Sequence, residues 1–165
     1  MQTTVRDTIV FGLGRGTLNV PAGDLLQAWL QQEIQQRASA PLIAPALGQC
    51  WPGTTDIYAG LVRGLEGQRD YHLLVHEEVF KPGPWQAAVD WAPSLGEQYS
   101  VPDRRESRIL VVNVSELFAG EWYWTNAQYA GYADYAWAQN FGDGIQLNYR
   151  KANKFPARAV RRLII

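Results

Sequence analysis

The chain is poor in cysteine, in charge of one sign and in long apolar stretches, and each shortage excludes a class of protein. Its single cysteine, Cys50, leaves no internal disulfide framework and no cysteine-based zinc cluster. Cys50 stands in Gly48-Gln49-Cys50-Trp51-Pro52-Gly53 with no adjacent base, which reads as a small buried or incidental thiol. Fifteen basic and sixteen acidic side chains give a formal charge of −1, so no global field draws the protein to nucleic acid or to an anionic membrane. No apolar run approaches the roughly 20 residues that span a bilayer, and Met1-Gln2-Thr3-Thr4 lacks a basic segment leading into an apolar one. The expectation is a chain without a signal peptide or membrane insertion.

Groups for catalysis and metal binding are equally scarce. His72 and His76, with Glu77 and Glu78 beside them, follow a strand-like run and read as solvated strand-end residues rather than as a metal site. Acids such as Asp134 and Asp143 are too scattered to form a general acid–base pair. Gly12-Leu13-Gly14-Arg15-Gly16 imitates a phosphate loop, but it leads into Thr17-Leu18-Asn19-Val20-Pro21 rather than a helix start, so a plain turn is expected. No enzymatic activity, cofactor or metal is expected.

The 165 residues suffice for one domain and an appendage. Residues 1–20 read as a strand, a loop and a short return. From Pro21 to about Ala38 the apolar residues Leu25, Leu26, Trp29, Leu30 and Ile34 predict a helix with one stripe, to dock on its own domain or on another copy. Residues 39–47 carry two prolines and no charge and read as a connector. The boundary therefore separates an N-terminal attachment or oligomerisation segment, 1–45, from a main domain, 46–165. That domain opens with a hairpin over 58–64 and 70–75, continues with short helices over 85–92 and 103–112, and ends in an irregular β-rich half closed by an extended run at 157–163. The fold class is α+β.

Five of the eight tyrosines and four of the six asparagines lie between Trp122 and Phe155. Tyrosine gives large, stiff contact area with a polar tip, and asparagine and glycine give adaptable hydrogen bonds, the composition of evolved binding loops. Arg104-Arg105 and the later Arg150, Lys151, Lys154, Arg158, Arg161 and Arg162 are locally basic, with no acid after Asp143. They suit either a patch for sulfated or phosphorylated glycans or arginines of a last strand paired with buried carboxylates.

Glu121-Trp122-Tyr123-Trp124-Thr125-Asn126, Tyr135-Ala136-Trp137-Ala138-Gln139-Asn140-Phe141-Gly142-Asp143-Gly144 and Arg158-Ala159-Val160-Arg161-Arg162 resemble, in order and spacing, the Lcl C-terminal domain family. Gly60-Leu61-Val62-Arg63-Gly64, Asp70-Tyr71 and Ser100-Val101-Pro102-Asp103-Arg104-Arg105-Glu106 resemble its phage and prophage versions. The resemblance covers about residues 46–165. It implies a C-type-lectin-like fold of the formylglycine-generating-enzyme kind, and binding rather than catalysis, because the related enzyme's cysteine pair has no counterpart here. The Glu-Pro-Asn and Gln-Pro-Asp loops of calcium-type lectins are missing too. Members of the family also serve as variable proteins of diversity-generating retroelements, with which the Tyr and Asn bias is compatible.

The expectation is thus a phage virion protein, at the tail or its tip, made in the bacterial host cytoplasm and binding a host-surface glycan or protein. Other phage structural proteins are expected partners, as is a homo-oligomer through residues 1–45. The alternative is a structural virion part, a fibre-assembly or decoration protein, whose lectin-like surface meets another phage protein. Trp124 and Trp137 are expected in the core. The ligand-binding set is expected on one exposed surface: Asn126, Tyr129, Tyr132, Asp134, Tyr135, Asn140, Asn148, Tyr149 and Asn153.

Overall fold

The computed structural model describes residues 8–13, 16–39 and 43–165, with side chains for residues 8, 9, 21–33 and 43–165. The chain divides into two compact units, Met1–Ile43 and Ala44–Ile165. In the first, β1 (Thr8–Leu13) and β2 (Gly16–Pro21) form an antiparallel hairpin with Thr8 opposite Pro21 and Leu13 opposite Gly16. Pro21 then presets the backbone for α1 (Ala22–Ser39), whose first turn carries Asp24 against the positive end of the helix dipole. Of the expected stripe, Leu25 is half-buried and Leu26, Trp29 and Leu30 are exposed; the side chain of Ile34 lies outside the described residues, as do Gly14 and Arg15 of the glycine-rich turn.

The second unit is a mixed α+β structure with two antiparallel three-stranded sheets. The first sheet has the order β3 (Ile57–Val62), β4 (Tyr71–Gly83), β8 (Phe155–Ile164). A loop closed by Gly67 at φ 82°, a conformation glycine adopts without strain, joins β3 to β4. β4 runs eight residues past the expected end at Val75 because it carries a bulge. Between Val75 and Val79 the pairing with β8 shifts, and the guanidinium of Arg158 donates to the carbonyls of His76 and Glu77 that the bulge releases. Burial lowers the pKa of Arg158, whose partners are carbonyls, including that of Leu117, rather than a carboxylate.

α2 (Trp85–Trp91) and α3 (Arg104–Val114) lie between β4 and the second sheet in the chain, each ending in a short 3₁₀ turn. α3 starts at a capping box: Asp103 accepts from the Glu106 backbone, and Glu106 accepts from the Asp103 backbone at 2.8 Å. The second sheet has the order β5 (Trp122–Gln128), β6 (Tyr135–Asn140), β7 (Gln146–Arg150). Three strands of the expected irregular half thus form a meander with a bulge between Trp124 and Gln128, while its last run, β8, joins the first sheet. The β6–β7 turn is built by Asn140 Oδ1, which accepts from the backbone of Gly142 and Asp143, and by Asp143 Oδ1, which accepts from Ile145 N at 3.0 Å.

Two large apolar clusters hold this unit, with a smaller one at Trp51, Tyr58 and Leu74. One joins α3 (Leu110, Val114) to the first sheet (Leu73, Val75, Val160) and to Phe118, Tyr123 and Phe141, the two phenylalanines stacking at 3.7 Å. The other gathers Trp85 and Ala88 of α2, Trp124, and the small residues Ala136, Ala138, Ala157 and Ala159 that let strands approach. Buried carboxylates tie the last strand to both ends of the unit. Glu106, with no exposed surface, accepts both Nε and Nη2 of Arg162 at 2.6 Å and the Tyr71 hydroxyl at 2.8 Å. Asp56 accepts from Arg161 Nε and, at 2.9 Å, from the Tyr99 hydroxyl. Among the basic residues, Arg161 and Arg162 therefore serve the fold.

Candidate functional site

Strand alternation divides the second sheet into two faces. The register places Trp122 opposite Asn140, Trp124 opposite Ala138, and Ala136 opposite Tyr149, all on the face that packs on the α2 cluster. Trp124 is fully buried there, its Nε1 donating to Gly83 O at 2.9 Å. The other face carries Gln139 and Gln146, then Trp137 opposite Asn148, then Tyr135 opposite Arg150.

That outer face is half covered. At one end Gln139 is buried, and its Oε1 accepts from Gln146 Nε2 at 2.8 Å, while Gln146 Nε2 also donates to the carbonyl of Arg104 at the start of α3. At the other end the face opens to solvent. The margin between the two is Trp137, half-buried, with the Arg104 guanidinium 3.5 Å above its ring centre. Trp137 is therefore not in the core as expected, because one residue of strand separates its face from that of Ala136 and Ala138.

The open end is aromatic. Tyr129 meets Trp137 edge to face with ring centres 5.5 Å apart and lies 6.1 Å from Tyr132, which is 5.7 Å from Tyr135. Tyr132 is 65% exposed. Arg150 donates from Nε to the Tyr135 hydroxyl at 3.2 Å; this bond, then the charges of Tyr135 and Asp134, raise its pKa. The 129–135 segment is held over the sheet by Tyr129 N donating to Tyr135 O, and Lys151 N donates to Asp134 O.

The expected ligand-binding set divides accordingly. Tyr129, Tyr132 and Tyr135 come together, with Asn148 beside Trp137 in register and Asp134 exposed next to them. Tyr149 and Asn140 belong to the opposite face. Tyr149 packs edge-on against Trp122 and Phe155, each at 5.0 Å, and Asn140 is the cap of the β6–β7 turn. Asn126, in the bulge of β5, and Asn153, in the turn after β7, are exposed, and their side chains make no hydrogen bond to the aromatic group among the described residues. A single exposed surface for all nine fails because the side-chain period of a strand sends neighbours to opposite faces. The sequence reading expected Trp137 in the core and gave Arg104 and Arg150 only as members of a locally basic group, outside the ligand-binding set. For Arg150 the signal was a basic C-terminal stretch with no acid after Asp143; Arg104, between Asp103 and Glu106, carried no such signal.

The remaining candidates stay apart from this face. His72 sits between Trp51 and Tyr58, its Nδ1 3.1 Å from the Tyr58 hydroxyl, and burial lowers its pKa. His76 Nδ1 accepts from Glu78 N. Cys50 is exposed rather than buried. A cleft of about 430 Å³ opens between the β3–β4 loop at Gly67–Arg69 and the ends of β4 and β8, with Tyr71, Arg162 and Ile164 in its wall. In comparisons with known proteins, no protein-family model and no curated protein matches the chain.

Proposed function

We propose that the protein is a bacteriophage virion component, at the tail or its tip, whose unit 44–165 binds a host-surface receptor through the outer face of the β5–β6–β7 sheet. The observation that carries this reading is the group of Tyr129, Tyr132, Tyr135 and Trp137, stiff rings of which Tyr132 is exposed and the others half-buried, flanked by Arg104 and Arg150. Such rings lose little conformational entropy on binding, and Tyr, Trp and Arg are the residues that anchor interfaces. The resemblance to the Lcl C-terminal domain family supports a C-type-lectin-like fold. The residues that carry it have scaffold roles that suit this assignment: Trp124 and Phe141 in the core, Asp143 in a turn, Arg158, Arg161 and Arg162 as ties.

The N-terminal unit would serve as the attachment or oligomerisation element. Its support is Leu26, Trp29 and Leu30, which a hairpin and one helix leave exposed. Removing residues 1–43 is expected to give a folded monomer from an oligomer; an unchanged mass in ultracentrifugation would sink that part.

The receptor reading is tested with the fluorescently labelled full chain on cells of the bacterium that carries the sequence. Staining is expected, and the variant Tyr129→Ala/Tyr132→Ala/Tyr135→Ala is expected to lose it with its circular dichroism intact. Undiminished staining by this variant overturns the assignment. Labelling of virions without any staining of cells favours instead a structural virion part, whose face meets another phage protein.

A further inference from the structure

Arg104 is built differently from the other arginines of the unit. Its guanidinium lies flat on Trp137, 3.5 Å from the ring centre, and its Nε donates to Gln146 Oε1 at 3.1 Å. Gln146 is itself fixed by its bonds to Gln139 and to the Arg104 carbonyl. The side chain is thus held from two directions, yet Nη1 and Nη2 have no acceptor among the described residues. No carboxylate pairs with it either. Arg108, one helical turn on, is exposed, and burial first and then this like charge lower the Arg104 pKa. At the same helix end the capping box occupies the backbone donors of Asp103 and Glu106.

A fixed guanidinium with two free parallel N–H groups and no carboxylate paired to it is complementary to a carboxylate received end-on. Beside it, Tyr129, Tyr132 and Tyr135 offer ring faces suited to the C–H side of a sugar, and Asn148 lies next to Trp137 with an amide for hydroxyl groups. We infer that Arg104, stacked on Trp137, is the anion-binding end of a subsite for a carboxylated saccharide, a uronic-acid unit of a surface polysaccharide, with the three tyrosines holding the ring. This rests on the receptor reading above and names the ligand class for it.

The probe is a set of oligogalacturonides, with neutral dextran, dextran sulfate and poly-L-glutamate as comparisons, titrated calorimetrically into the full chain. Oligogalacturonide binding is expected to weaken about tenfold or more in Arg104→Gln, the loss of one bidentate charged contact. Arg104→Lys should lose nearly as much, since an ammonium neither stacks flat nor forms the fork. Arg108→Gln, at an exposed position, should weaken binding less and keep the fold if Arg104 variants do not. Equal binding of dextran or of poly-L-glutamate overturns the saccharide-plus-carboxylate assignment, as does preferred binding of dextran sulfate or a fully active Arg104→Lys. If cells are stained through the tyrosines but no arm of the titration responds to Arg104, this inference fails while the receptor reading stands. Loss of tyrosine dependence in the staining removes the receptor reading itself.

Discussion

Arg162 and Arg104 carry the same guanidinium into opposite surroundings. Arg162, on β8 at the edge of the first sheet, gives Nε and Nη2 to the buried carboxylate of Glu106 and Nη1 to Ser100. Arg104, in the first turn of a helix that only half covers a sheet, has an indole beneath it, an amide oxygen at Nε, and the like charge of Arg108 acting on it. The first is consumed by the fold and the second is not. Basic residues close in type and local composition are thus sorted by whether the fold supplies acceptors for the guanidinium, a carboxylate for Arg162 and carbonyls for Arg158, and those left over mark the surface with binding potential.

The largest expected effect separates the two directly. Replacing Arg162 with Met leaves the Glu106 carboxylate charged, with no exposed surface, and partnered only by Tyr71 and the Asp103 backbone. Removing one member of such a pair costs about 3 kcal/mol or more, to be read from urea unfolding. A loss no greater than that of Arg104→Gln would erase the distinction.

A second, smaller effect appears with pH. The Tyr71 hydroxyl is pushed up to about 12, first by burial and then by its hydrogen bond to Glu106. Its folded pKa lies above the unfolded value near 10. The neutral phenol's contribution is therefore complete below about pH 10 and lost as pH rises toward 12, the folded chain binding the extra proton over that window. Tyr99, raised by burial and by Asp56, adds in the same direction. Tyr71→Phe should flatten the alkaline fall in the unfolding midpoint. An unchanged slope would mean that the Glu106 cluster does not titrate through this hydroxyl.

The parts of the fold legible from sequence are those with short-range signals. The Pro-Asp start of α3, the Pro21 start of α1 and the glycine-bearing β3–β4 loop follow from capping and turn chemistry alone. What was not legible depends on long-range partners. β4 continues through His76, Glu77 and Glu78 because Arg158, 82 positions away from His76, satisfies the bulge. The site shows the same limit. Tyrosine enrichment identified Tyr129, Tyr132 and Tyr135, yet the face each residue takes is fixed by cross-strand register, so Tyr149 and Trp137 exchange the roles expected of them. Arg104 could not be placed over Trp137 without knowing that α3 ends its cover of the sheet there.

The smallest effect sharpens the comparison most. Arg104→Gln removes a cation–π contact worth about 0.5–1 kcal/mol at a partly exposed site, and one hydrogen bond to Gln146, whose amide keeps its other partners. It also relieves the repulsion between Arg104 and Arg108. The two terms oppose, so the net change should stay within about 0.5 kcal/mol. Salt tells them apart. Repulsion between exposed charges fades as the screening length falls from about 10 Å at 0.1 M to about 3 Å at 1 M, whereas the stacking contact is largely unscreened. The variant should therefore be near neutral at low ionic strength and slightly destabilised at high. Arg162→Met, acting on a buried pair, should show little dependence on salt. If Arg104→Gln instead becomes less destabilising as salt is added, Arg104 is paired with a carboxylate in solution and is one more arginine of the scaffold.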